Sequence, residues 1–381
     1  MMSDNKFNLP MIDDQHDSSC CKPEDNPAAD YETAAEAGWV VGQTGTPVGP
    51  VYQISTLLVY KDLLDTVRAR LGMGRMKLAV PPGLYAVGTP DRFSPVLVSA
   101  NYKLSFDALR RELTGLNLWV LVLNTKGINV WCAAGKGTFG TDEVIRMVDA
   151  VQLEKVIAHR TLILPQLAAP GVSAHEVRRR CSFRVIFGPV RAADIPAFIN
   201  AGNKADPVMR RIPFGLRERL VLTPVELTAL IKPLAGLILL LFLLNTAVTL
   251  VNQSPARPAI LLSRTFSDLM PFLVAALIGV FLVPALLPYI PGRSFAWKGF
   301  VLGLIWALLH WHFASLQPGW LITSAHFLLL PAITAFLGMN FTGSTTYTSL
   351  SGVVREMKIA LPVIITASGL GMITLITSYF V

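Results

Sequence analysis

Residues 118–136 read LWVLVLNTKGINVWCAAGK, and the chain's architecture follows from how they are parsed. Leu118–Leu123 is an apolar run of strand length, closed by the turn-forming residues Asn124-Thr125-Lys126-Gly127. Ile128–Trp131 reads as a short second strand. Cys132 then opens an Ala/Gly run that can begin a helix. Beyond it, Thr141–Val151 places Val144, Ile145, Val148 and Val151 at helical spacing and predicts an amphipathic helix.

Working outward, the same alternation repeats. Val96–Ala100 predicts a strand and Phe106–Leu113 a helix; Thr161–Leu164 is a strand, Ala174–Arg180 a helix, Phe183–Phe187 a strand and Ala192–Asn200 a helix. Upstream, the Gly/Pro-punctuated GWVVGQTGTPVGPVYQIST precedes an amphipathic helix at about Lys61–Leu71. Strands alternating with helices imply an α/β domain, Rossmann-like, with a mainly parallel sheet covered by helices. Ligands of such sheets sit at the carboxyl ends of the strands.

Composition changes sharply further along. Only 15% of the 381 residues are charged and 52% are hydrophobic, against about 25% charged in an ordinary soluble domain. Residues 1–230 hold 26 Lys+Arg and 23 Asp+Glu, whereas residues 231–381 hold 7 and 2. Five apolar spans follow residue 230, at about 231–251, 270–290, 299–316, 320–339 and 359–381. Each approaches the length needed to cross ~30 Å of hydrocarbon, so an all-α transmembrane domain of about five helices is expected. The domain plan is an acidic, disordered tail (1–38), the α/β domain (39–210), a basic juxtamembrane linker (211–230) and the transmembrane domain (231–381). Arg210, Arg211, Arg217, Arg219 and Lys232 precede the first span, and Arg293 with Lys298 and Arg355 with Lys358 flank later connections. The connection Gln317–Gly319 is uncharged, while Arg257 and Arg264 dissent mildly. The positive-inside rule then puts the soluble half in the cytoplasm and the C-terminus outside a cytoplasmic (inner) membrane. The net charge of +8 fits this partition better than nucleic-acid binding. The first 36 residues hold no signal-peptide pattern.

The candidate chemistry is concentrated in Asn129–Lys136. A P-loop needs G-x-x-x-x-G-K-[ST]; Val130 stands at the first Gly position and Gly137 follows Lys136, so both ends fail. Cys132 at a helix start, with Lys136 near, sits where the thiolate is favoured, and its small neighbours leave room for a flat group to approach the sulfur. That describes a metal-ligating or nucleophilic cysteine, with a buried structural thiol as the alternative.

NVWCAAGK resembles the signature of the mercury-methylation corrinoid proteins, the HgcA family. Ser94–Ala201, including SPVLVSANYKLSFDALRREL, HRTLILPQLAAPGV and FRVIFGPVRAADIPAFI, is similar to the corrinoid-binding domain of the large corrinoid iron–sulfur protein subunit, whose corresponding stretch lacks the Cys. The order of domains and the loop NFTGSTTYTSLSGVVREMK (Asn340–Lys358) also resemble HgcA. The resemblance implies a cobalamin-type corrinoid bound base-off and Cys-on, with Cys132 as the lower axial ligand to cobalt. Val130, Trp131, Ala133, Ala134, Gly135 and Lys136 would shape the loop and cap helix around the corrin, and Asn129 would fix the turn. Ser99 falls where the family usually has a Thr contacting the corrin. Gln166 and Gly188, with Pro165 and Pro189, lie at strand ends and are expected near the corrin. The pattern D-x-H-x-x-G occurs nowhere in the chain, in keeping with a Cys-on cobalt.

The same resemblance implies a methyltransferase that passes a methyl group, as a carbanion equivalent, from Cys-ligated methylcobalt to Hg(II), forming methylmercury. Its partners would be a ferredoxin-like, HgcB-like iron–sulfur protein that supplies electrons and Hg(II), an upstream methyl-donating methyltransferase, and membrane lipid; no nucleic acid is expected. The alternatives are a corrinoid methyl carrier with another acceptor, or a membrane transport protein with a corrinoid-binding domain. The spans hold few polar residues and no internal repeat, which disfavours transport. Several other residues have two readings. Cys20-Cys21 is a soft ligand pair or incidental; Cys181 is structural; Arg178-Arg179-Arg180 is a docking patch or a solvated face. His310, His312 and His326 lie within apolar spans, where ionisable residues are functional candidates.

Overall fold

A computed structural model describes residues 31–74, 78–253, 257–313, 319–344 and 350–381. The Cys20-Cys21 pair, most of the acidic tail, residues 314–318 and part of the Asn340–Lys358 loop lie outside the described residues. By internal contacts the chain forms two units: one holds residues 1–58, 79–188 and 195–203, the other residues 59–78, 189–194 and 204–381.

The first unit is built on a seven-stranded sheet of order β1-β2-β3-β5-β4-β6-β7. The strands are β1 (Val40–Thr46), β2 (Gly49–Ile54), β3 (Gly83–Val87), β4 (Val96–Ala100), β5 (Leu118–Leu123), β6 (Thr161–Leu164) and β7 (Arg184–Phe187). β5, β4, β6 and β7 are parallel neighbours. The remainder makes the sheet mixed: β2 and β3 are parallel to each other, while β1 and β2 form an antiparallel hairpin and β3 runs antiparallel to β5. The hairpin occupies the Gly/Pro-rich stretch that alternation rules leave without strands. Every residue of β3, β4 and β5 is buried, as expected of central strands covered on both faces.

Helices α2 (Lys103–Arg110), α3 (Val130–Lys136), α4 (Thr141–Ala150), α5 (Leu153–Val156), α6 (Ala174–Cys181) and α7 (Ile195–Asn200) complete this unit, while α1 (Tyr60–Arg70) belongs to the second. Val144, Met147 and Val148 of α4 pack into the same core as Leu121, Leu123, Leu162 and Leu164. α2 is fastened by a buried ion cluster. Arg110 Nε donates to Asp107 Oδ1 at 2.8 Å, and Arg110 Nη1 donates to the carbonyls of Ser55 and Leu57, each at 2.7 Å. Of residues 31–38, assigned to the tail by composition, Thr33–Glu36 form a helical turn and Ala34 is buried. Tyr31 hydrogen-bonds the carbonyl of Leu84, and its ring lies 5.0 Å from Tyr52 and 5.2 Å from Tyr85. A Cβ on Gly83 would sit 2.3 Å from that ring, so only glycine admits Tyr31 there.

The second unit is helical. It contains α8 (Leu216–Leu220), α9 (Thr223–Val251), α10 (Pro258–Leu277), α11 (Val283–Leu286), α12 (Phe295–Phe313), α13 (Trp320–Asn340) and α14 (Leu350–Ser378). Among the described residues, four stretches are long and apolar enough to cross a membrane: 216–251, 258–286, 320–340 and 352–378. The expected span at 299–316 falls on α12, which carries Lys298, His310 and His312 and is not among the four; residues 314–316 of that span lie outside the described residues. A π-helical turn, Ile278–Leu282, continues α10.

Candidate functional site

The parallel strands run β5-β4-β6-β7, so the chain leaves β4 to one side for β5 and later to the other for β6. The carboxyl ends of β4 and β6 are therefore a topological switch point, where open α/β sheets leave a crevice. The loops that follow β4, β5 and β6 meet there.

Asn101, directly after β4, organises the loop after β5. Its buried Oδ1 accepts hydrogen bonds from Thr125 N (3.0 Å), Thr125 Oγ1 (2.8 Å) and Gly127 N (3.0 Å). Its own N–H donates to Leu123 O at 3.1 Å. Thr125 Oγ1 also lies 2.7 Å from Ile128 O. Lys126 and Gly127 take left-handed φ values of 56° and 70°, which turn the chain back over the strand end. The expected second strand at Ile128–Trp131 is not formed. β5 already has β3 and β4 on its two edges, so no partner position is open to a returning strand. Asn129 instead caps α3. Its backbone is extended (φ −65°, ψ 159°) and its Oδ1 accepts from Cys132 N at 2.9 Å, a cap worth about 1 kcal/mol.

Cys132 thereby becomes the third residue of α3, with its thiol exposed. Ala133 and Ala134 point into the core at 0% and 5% exposure, Val130 packs against its edge, and Trp131, Gly135 and Lys136 face outward. The helix stops at Gly137, whose φ of 80° favours glycine. Backbone approach on the inner side is very close. A Cβ on Gly171 would lie 2.4 Å from Phe139 O and 2.9 Å from the Ala134 backbone. Gln166 opens the short turn Gln166–Ala168 after β6, which packs on α3. Gly188 N donates to Leu164 O at 2.8 Å and closes the β6–β7 end beside Pro165.

Ser99 is inside β4 two residues before Asn101, 4% exposed, with its hydroxyl 3.5 Å from Ala100 O. The sequence marks Thr125 only as a turn former and gives Asn101 no role, yet these are the residues that hold the loop. Their only local signal is polar side chains directly after apolar strands. Cys181 donates from Sγ to Val177 O at 3.1 Å, and burial pushes its thiol pKa up. Arg179 and Arg180 are paired with Glu176 and Asp142. Among the described residues no three His, Cys, Asp or Glu side chains gather as a metal site.

Comparison with known proteins adds to this geometry. A family model described as CO dehydrogenase/acetyl-CoA synthase delta subunit matches residues 72–199. The gamma subunit of the acetyl-CoA decarbonylase/synthase complex of Archaeoglobus fulgidus is 30% identical over 127 residues, 33% of this chain and 27% of that subunit. The corresponding gamma subunit of Methanocaldococcus jannaschii is 33% identical over 138 residues, 36% of this chain and 28% of the relative. Gamma subunit 2 of Methanosarcina thermophila is 32% identical over 128 residues, 32% and 27% of the two chains. The chain thus spans little more than a quarter of the length of these relatives. The matched residues 72–199 carry β3 to β7 and the Asn101–Asn129–Cys132 arrangement.

Proposed function

We propose that this chain is a membrane-attached corrinoid methyltransferase that methylates Hg(II), with Cys132 as the protein's ligand to the corrinoid cobalt in a base-off, Cys-on arrangement. The observation that carries the proposal is the exposed Cys132 thiol, presented by a capped helix at the strand ends of a segment similar to acetyl-CoA decarbonylase/synthase subunits. The residues present suit the group. The thiol is accessible, the residues after it are small, and a thiolate is a soft metal ligand. A bound corrinoid would supply a cobalt-carried methyl group.

The chain's own residues would do the positioning. Asn129 and Asn101 hold the loop that presents Sγ. Trp131, Gly135 and Lys136 flank the thiol, and the Gln166 turn buttresses α3 from the β6 side. The Cys132 thiolate would hold the metal as a soft, electron-rich ligand, and the group when bound would supply the methyl for a soft electrophile such as Hg(II). The apolar helices would anchor the protein in the cytoplasmic membrane, with residues 39–210 inside and the C-terminus outside, as the loop charges favour. Electrons for each new cycle would come from a ferredoxin-like iron–sulfur partner, and the methyl group from an upstream methyltransferase.

A second reading, a corrinoid methyl carrier with another acceptor, is favoured by the relatives' membership of an acetyl-CoA decarbonylase/synthase complex. Anaerobic methylation of Hg(II) by cells carrying the chain with a ferredoxin partner separates the two. Methylmercury from the intact chain, and only background from Cys132→Ala, is expected. A corrinoid spectrum without methylmercury would select the second reading, and full activity in Cys132→Ala would sink the role given to the thiol.

A further inference from the structure

α1 wears its amphipathic pattern inside out. Asp62, Asp65 and Ala69 are buried at 4%, 9% and 2% exposure, while Tyr60, Leu63, Leu64 and Val67 are exposed at 74%, 53%, 37% and 52%. The exposed four are spaced three, one and three residues apart and form one stripe along the helix. Val59 and Met73, on either side of the helix, are exposed too. A contiguous apolar stripe on an exposed helix marks an interaction surface.

The helix is attached to α9 just past its C-terminal end. Thr228 Oγ1 of α9 donates to Leu71 O at 2.8 Å, just past the end of α1. A Cβ on Gly72 would already lie 3.2 Å from Val225 Cγ2. Thr228 stands three residues, roughly 4.5 Å of helix rise, before Ile231, where α9 begins an exposed apolar surface continued by Leu239 and Leu243. α1 is therefore tied to α9 within one turn of the point at which α9 becomes apolar. With both carboxylates of α1 buried, its exposed charges are Lys61, Arg68 and Arg70, all basic.

We propose that α1 is an in-plane membrane anchor: its Tyr60–Leu63–Leu64–Val67 stripe enters the acyl boundary of an anionic phospholipid surface, and Lys61, Arg68 and Arg70 meet the headgroups. An apolar face flanked by basic side chains is the pattern of interfacial helices, and anionic headgroups favour each added Lys or Arg. The assignment rests on α9 crossing the membrane, as proposed above. It adds a second, in-plane attachment between the sheet's β2 and β3 in the order of the chain.

The test uses the full chain reconstituted in vesicles of phosphatidylcholine and phosphatidylglycerol containing a phospholipid with a diazirine on its acyl chain. After photolysis, labelled peptides are mapped by mass spectrometry. Label on residues 59–73 as well as 231–251 is expected. The Leu64→Glu/Val67→Glu double variant should lose label on 59–73 by about fivefold or more and keep it on 231–251. Replacing phosphatidylglycerol with phosphatidylcholine should also weaken the label on 59–73. Label on 231–251 with none on 59–73 would assign the stripe to a protein partner and overturn the proposal. No label on 231–251 would overturn the membrane-crossing reading of α9, and the anchor with it.

Discussion

Asn101 shows how much of the candidate site hangs on one buried amide oxygen. Three donors from the β5–α3 loop converge on it. Removing it leaves buried donors without partners, each costing about 1–3 kcal/mol. Asn101→Ala should therefore destabilise the protein by about 2–4 kcal/mol, and the midpoint of thermal unfolding in detergent reads this directly. Asn101→Asp, which keeps the acceptor, should recover most of the loss. The two cysteines of the described residues are expected to differ in reactivity. Cys132 is exposed, whereas Cys181 is half-buried, hydrogen-bonded to Val177 O and pushed up in pKa by burial. Iodoacetamide at neutral pH should modify Cys132 well before Cys181, with the Cys181 rate rising only under more alkaline conditions. Peptide mapping resolves the two, and equal rates would contradict the burial of Cys181. NVWCAAGK was legible because its information is local: a cap residue, a thiol, two small residues and a glycine. Asn101, 31 positions before Cys132, carries no mark of its role until the strands place it under the loop.

At the scale of elements, the parallel strands β4 to β7 and the helices between them follow from apolar runs and helical spacing, and their bounds agree with expectation to within a few residues. The elements that escaped, β1, β2 and β3, are Gly- and Pro-rich or short, and pairing rather than local preference makes them strands. The turn before β4 is a further element with a measurable property. Ser94 Oγ donates to Asp91 Oδ1 at 2.7 Å and Phe93 N donates to it at 2.9 Å, which holds the Asp91 carboxyl below the usual carboxylate range. A carboxyl pKa lowered by folding contributes stability above its unfolded value of about 3.9, and that contribution is lost as pH falls through the lower folded value. Acidification should thus loosen this turn, and Ser94→Ala should make the loosening begin at higher pH. Trp119 reports it, since its Nε1 donates to Asp91 O at 2.9 Å. Indole fluorescence unchanged between the parent and Ser94→Ala across the acid range would contradict this account.

At the scale of the whole molecule, the split in composition at residue 230 announces two kinds of structure, yet contacts divide the chain less simply, because α1 joins the helical unit although 79–188 separates it from most of that unit. A fragment of residues 39–210 should still bind a corrinoid through the Cys132 loop, but it carries α1 without Thr228. It is expected to need mild detergent to stay monomeric, and the Leu64→Glu/Val67→Glu change should remove that need. Size-exclusion chromatography with and without detergent checks this, and a fragment that is monomeric without detergent would count against it. The α/β alternation, the run of apolar helices, the basic flanks and the thiol-bearing motif are legible without the fold, because each is written within one or two turns of chain. Long-range contacts set that β3 runs antiparallel to β5, that Asn101 holds the loop with Ser99 inside β4, and that the apolar side of α1 faces outward. Periodicity reports that a helix or strand has two faces; which face is covered depends on partners brought from elsewhere in the chain.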